Sequence, residues 1–159
     1  MKRIFLFTYL LFAFFLSTFG QTTKVTTGSK DLKVTITGCE AFENTCELTF
    51  LMENVSSKEV KLNVGFSSTP IIIGLIAFDD EGNTYSNEFG DNIYFVGNKR
   101  LTLPSEIPIK GKIVIKDVPV SAKMIRQLKM TEESDGLGLQ FGDDYMIFSN
   151  VPISREGDE

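Results

Sequence analysis

Leu32-Lys33-Val34-Thr35-Ile36, Glu47-Leu48-Thr49-Phe50-Leu51-Met52-Glu53 and Val60-Lys61-Leu62-Asn63-Val64-Gly65-Phe66 decide the fold. Leu32, Val34 and Ile36 alternate with Lys33 and Thr35; Leu48, Phe50 and Met52 alternate with Glu47, Thr49 and Glu53. Val60, Leu62, Val64 and Phe66 repeat the pattern around Lys61 and Asn63. Successive side chains on a strand point to opposite faces, so a period of two marks strands with one dry and one wet face. Between them, Asn54-Val55-Ser56-Ser57-Lys58 and Ser67-Ser68-Thr69-Pro70 have the composition of turns.

Working outward, further strands are expected at 71–78, Tyr85, 93–96, 101–103, 107–118, 137–141 and 145–153. Asp79-Asp80-Glu81-Gly82-Asn83 reads as a hairpin tip in which Gly82 supplies a positive φ. No long amphipathic helix is available to cross over between parallel strands, so the pattern predicts an all-β antiparallel sandwich. One helical turn is expected, with Ser121 capping 122–128 and Ile125 and Leu128 three apart on one face.

The N-terminus reads as an export signal. Lys2 and Arg3 precede an apolar run over 4–16, and Thr18 and Gly20 offer small side chains before a cleavage site at Gly20/Gln21. The run is shorter than the roughly 20 residues of a membrane-spanning helix. No cysteine follows it to take a lipid, and no stable membrane insertion is expected after cleavage. The expected organisation is a signal peptide over 1–20, a mobile segment over 21–29, one β-sandwich domain over 30–153 and a polar tail over 154–159. Without residues 1–20 the chain carries 14 basic and 21 acidic side chains, a net charge of about −7. Its basic residues are scattered among acids, which argues against nucleic acid and anionic membranes as partners.

Cys39 and Cys46 are the two cysteines, separated by 40–45. In an oxidising compartment such a pair reads as a disulfide across a hairpin end. The sequence contains no histidine and no second cysteine pair, so a tetrahedral metal site has no ligand set.

Met52-Glu53-Asn54, the run Phe78-Asp79-Asp80-Glu81-Gly82-Asn83-Thr84-Tyr85 and the closing Phe148-Ser149-Asn150-Val151-Pro152-Ile153 give the chain a further likeness. In this order they resemble exported bacterial immunoglobulin-like β-sandwich proteins of unknown function. The resemblance spans 30–153 and rests on turns and strand periodicity. It implies an immunoglobulin-like fold outside the cytoplasm, periplasmic or extracellular, and it carries over no site residues.

The chemistry-bearing residues point away from catalysis. Without histidine, neither cysteine has a base to activate it. Ser121-Ala122-Lys123 is better explained as a cap than as a Ser–Lys dyad, and two carboxylates can be paired on paper in any chain with 21 acids. Asp79, Glu81 and Asn83 are candidate Ca2+ ligands, with Glu88 and Asp91 near in sequence. The glycine stands fourth rather than sixth and no helices flank it, so the hairpin turn is preferred and no metal or other cofactor is expected. Tyr85, Phe89, Tyr94 and Phe95 form a candidate binding loop that would stack on a sugar or anchor a protein; against this, Tyr85, Tyr94 and Phe95 begin and end strands and would point inward, and the lack of tryptophan weakens the sugar reading. Ile71, Ile73 and Leu75 form a candidate interaction face, because Ile72, Ile76 and Phe78 share the opposite parity and one core cannot take both sets. Burial under a loop, or a bulge at Gly74, is favoured over an open patch. The function expected is a non-catalytic structural or protein-binding module, with a protein partner or self-association. The alternative is a ligand-binding module for carbohydrate or Ca2+ using 79–98.

Overall fold

The computed structural model of the chain describes residues 22–63, 73–87, 92–96, 100–132 and 145–156. Among them lie twelve strands and no helix: β1 (Lys24–Thr27), β2 (Leu32–Phe42), β3 (Thr45–Asn54), β4 (Val60–Asn63), β5 (Ile73–Asp79), β6 (Thr84–Ser86), β7 (Ile93–Val96), β8 (Arg100–Leu103), β9 (Ile109–Ile115), β10 (Met124–Glu132), β11 (Tyr145–Pro152) and β12 (Ser154–Arg155). They build one five-stranded sheet in the order β1-β11-β10-β5-β6 and a second in the order β12-β2-β3-β9-β7; β4 and β8 pair separately. All pairings are antiparallel except β12 on β2. The fold is all-β, as the alternation predicts.

The core lies between the two five-stranded sheets. Leu48, Phe50 and Met52 of β3 face it, as do Ile113 and Ile115 of β9, Leu75 and Ala77 of β5, and Phe148 and Val151 of β11. Phe50 meets Phe148 of the opposite sheet in a tilted ring contact at 5.0 Å and leans towards Phe95 at 6.4 Å. Burying each such side chain contributes roughly 1.5–3 kcal/mol, so this aromatic cluster fastens one sheet to the other. Gly111, directly opposite Phe50 across the β3–β9 ladder, makes room for its ring.

The helical turn expected over 122–128 is corrected: Met124–Glu132 is strand β10. Ile125 and Leu128 are both buried because the ladder against β5 shifts between Ile125 and Gln127, leaving Arg126 as an extra residue. A bulge turns a spacing of two into a spacing of three, which imitates one helical face. Alongside it, Phe148 and Val151 of β11 are also three apart and both buried, with Asn150 between them at a φ of 53°. A second shift lies in β2 between Ile36 and Gly38. Ahead of it Leu32 faces in; beyond it Cys39 does, and Phe42 is turned out to solvent.

Two strands fall outside the 30–153 span. β1 adds to the edge of the first sheet through Lys24↔Ser149 to Thr27↔Met146, and β12 adds to the second through Ser154↔Glu40 and Arg155↔Ala41. The expected strand at 137–141 lies outside the described residues.

Candidate functional site

The β5–β6 hairpin holds the acidic tip. Gly82 has the expected positive φ, 88°. Asp79 is only 3% exposed, and its carboxylate collects four donors. The N–H groups of Glu81 and Asn83 donate to Oδ1 at 3.0 and 2.8 Å, while Asn83 Nδ2 and the Tyr85 hydroxyl donate to Oδ2 at 2.8 and 2.7 Å. Burial, the strongest single influence, pushes the Asp79 carboxyl up. The side chains of Asn83 and Tyr85 and the two backbone donors together outweigh it, leaving the group below the usual carboxylate value. Burial pushes the Tyr85 phenol up, and donation to Asp79 adds to the effect. Asp79 is the internal anchor of its turn, while Glu81 and Asn83 are exposed.

The three described loop aromatics do not converge. Tyr85 is buried against Asp79. Phe95 is half-buried and packs on Phe50, whereas Tyr94, on the opposite parity of β7, carries Lys116 Nζ at 5.2 Å from its ring centre. Phe89 lies outside the described residues, as do Glu88 and Asp91.

On β5, Leu75 is 2% exposed and faces the core with Ala77, while Ile76 and Phe78 are half-buried on the other face. The ladder with β10 runs unbroken through Thr131↔Gly74, so the parity change on this pair of strands lies at Arg126 and not at Gly74. Asn87 returns to the free side of β5, where its Oδ1 accepts from Leu75 N at 2.8 Å and its N–H donates to Leu75 O at 3.2 Å. Ile71, and the side chain of Ile73, lie outside the described residues.

A second constellation forms where the β2–β3 turn meets the β9–β10 connection. The Arg155 guanidinium donates from Nη1 to Glu43 O at 3.0 Å and from Nη2 to Pro119 O at 2.7 Å and Ala122 O at 3.4 Å. Val118 N–H donates to Asn44 O at 2.9 Å, which joins the same two segments again. Glu43 sits in the turn at a φ of 52° and Asp117 in the connection at 61°, a region that non-glycine residues seldom occupy. Next to these tied residues, Phe42 is 70% and Val120 61% exposed. Phe42, Glu40, Glu43, Glu47, Arg155 and Glu156 line part of an open cavity of about 710 Å³ on this side of the molecule.

Cys39 and Cys46 are buried just inward of that turn, with their Sγ atoms 2.9 Å apart. This is well inside the contact distance of two unbonded sulfurs and longer than the ~2.05 Å of a disulfide. They occupy diagonal positions, since Cys39 pairs with Leu48 and Cys46 with Ala41.

No family model, curated protein or solved structure matches the chain.

Among the described residues, no three His, Cys, Asp or Glu side chains group closely enough to hold a metal ion. Sequence reasoning missed Arg155, Phe42 and Val120. Arg155 carries no periodic signal, and the contacts that place it run to backbone carbonyls, which no side-chain pattern announces. Phe42 continues the even parity of Leu32, Val34 and Ile36 and reads as core; only the extra residue at Thr37–Gly38 turns it out.

Proposed function

We propose that the protein is a non-catalytic, immunoglobulin-like β-sandwich module exported to the bacterial envelope or beyond, where it docks a protein partner. The docking end is the one built by the β2–β3 turn and the β9–β10 connection. The reading of export is supported by the Lys2-to-Gly20 pattern, and the sandwich form by two sheets packed around one core. In the exported protein Cys39 and Cys46 form a disulfide, a reading supported by two buried sulfurs lying side by side.

The observation that carries the docking surface is the exposure of Phe42 and Val120 on segments tied together through Arg155. Large apolar side chains held in water on braced backbone lose little entropy on binding, and residues of this kind dominate interfaces. The glutamates around Phe42 suit a partner that brings an apolar side chain flanked by basic ones.

Site-specific photo-crosslinking in the native cells tests this. A benzophenone side chain at position 42 or 120 should trap the same protein, and one at the exposed Thr35 should not. An adduct of twice the chain's mass would identify the partner as a second copy. Equal trapping from positions 35, 42 and 120 would defeat the proposal.

A further inference from the structure

Every polar contact described for β12 lands on the rim of the cysteine pair. Ser154 and Arg155 pair with Glu40 and Ala41, the two residues after Cys39. Arg155 grips Glu43 O, inside the segment the cysteines enclose, and Pro119 O and Ala122 O opposite it. Cys39 is 4% exposed and Cys46 not at all, so neither sulfur is open to a reagent in the folded chain, and the Arg155 guanidinium lies near enough for its charge to act on both. The strand itself is two residues long, anchored by Ile153 N–H donating to Lys123 O at 2.9 Å. So short an element opens at a fraction of the free energy of global unfolding.

We propose that β12, fastened by Arg155, is a strap that gates chemical access to the Cys39–Cys46 pair. The pair exchanges with an external disulfide only while the strap is undocked. The proposal rests on the disulfide reading above for its physiological meaning, and on the packing alone for its test. In the exchange, the thiolate of one cysteine attacks one sulfur of an acceptor disulfide, either oxidised glutathione or a thiol–disulfide oxidoreductase, and displaces that acceptor's other sulfur as a thiolate. The other cysteine, losing its proton, then attacks the first one's Sγ and releases the second acceptor thiol. Two protein thiols lose two electrons and two protons, and one acceptor disulfide becomes two thiols. Burial pushes both thiols up, and the Arg155 charge favours the thiolate at both.

The experiment is alkylation of the reduced, purified protein with N-ethylmaleimide under native conditions, read at each cysteine by peptide mass. Gating by a strap predicts a rate that barely changes at low urea, because the opening exposes little surface. Arg155→Ala should raise the rate about tenfold or more, while Asn54→Ala, which loosens the opposite end of the sandwich, should not. The proposal is overturned if the wild-type rate climbs with the full urea dependence of global unfolding, or if Arg155→Ala reacts no faster than Asn54→Ala. Should Arg155→Ala fail to fold, the wild-type urea dependence decides alone. Free thiols in freshly exported protein, found by intact mass, would overturn the disulfide reading alone; the alkylation rates would still judge the strap.

Discussion

Asp79 is a buried charge whose cost is met at once by four donors from its own hairpin. Its carboxyl lies lower in the folded protein than in the unfolded chain, which fixes the sign of its pH dependence. On acidification the unfolded chain takes up the proton first. The stabilisation is therefore complete above the unfolded value of about 3.9 and is lost as pH falls through it towards the folded one. Asp79→Asn keeps one acceptor and puts a donor where Tyr85 and Asn83 already donate. The variant should lose about 2 kcal/mol at pH 7, and urea titrations should show the gap to wild type closing below about pH 4. A gap that stays constant to pH 2.5 would mean that the charge is not what holds the turn. Asn54 is the neutral counterpart at the other end. It is fully buried, donates to Lys58 O and Leu103 O, and accepts from the Ser56 N–H and hydroxyl, fixing the chain after β3. Both residues were visible in the sequence as turn formers; that they are buried hubs was not, because their partners include Tyr85 six residues on and Leu103 forty-nine residues on.

At the scale of the element, strands were legible wherever side chains alternate without interruption, as along Glu47 to Glu53. They were misread where one residue is inserted. The bulge beside Arg126 made β10 resemble a helix, and the shift after Ile36 hid which face Cys39 and Phe42 occupy. No local signal announces such an insertion, since it is selected by the partner strand. The β2 shift has a chemical effect: it sets Cys39, three residues after Ile36, on the face that holds Cys46. Deleting Thr37 removes the extra residue and leaves Cys39 two after Ile36 and in phase with it, so the intramolecular disulfide should still form, read by intact mass after exposure to oxidised glutathione. Two free thiols in the deletion protein would show that β2 slides as a whole and does not simply lose its bulge. The glycines of the same sheet separate cleanly. A Cβ at Gly111 would stand 2.6 Å from Phe50 Cε2 and Cζ, and the Phe148 and Phe95 rings crowd the space into which that ring would move. Gly111→Ala should cost about 1–3 kcal/mol in urea denaturation. At Gly38 the nearest atom, Thr49 Oγ1, is 3.5 Å away, and Gly38→Ala should be close to neutral. Equal effects at the two sites would contradict this account of the Phe50 pocket.

For the whole molecule, the class of fold followed from periodicity, while the proposed docking end did not, because it is assembled from residues 42, 43, 118–122 and 155, which meet only after folding. The cysteine pair lies at the same end. Oxidation closes a loop of about eight residues, for which the chain-entropy estimate is roughly 2.5 kcal/mol. Oxidised protein should unfold at correspondingly higher urea than the same protein reduced and alkylation-free; identical midpoints would remove any structural role from the bond. The strand order carries a further consequence, in time. β1 finds its partner in β11, and β2 receives β12 only when residues 154 and 155 exist. Neither five-stranded sheet is complete on a chain still growing towards them. At a synthesis rate of ~5–20 residues per second, the hundred or so residues between Cys46 and Arg155 take on the order of 5–20 s to make. For that interval the strap proposed above does not yet exist, while the pair it would cover is already made.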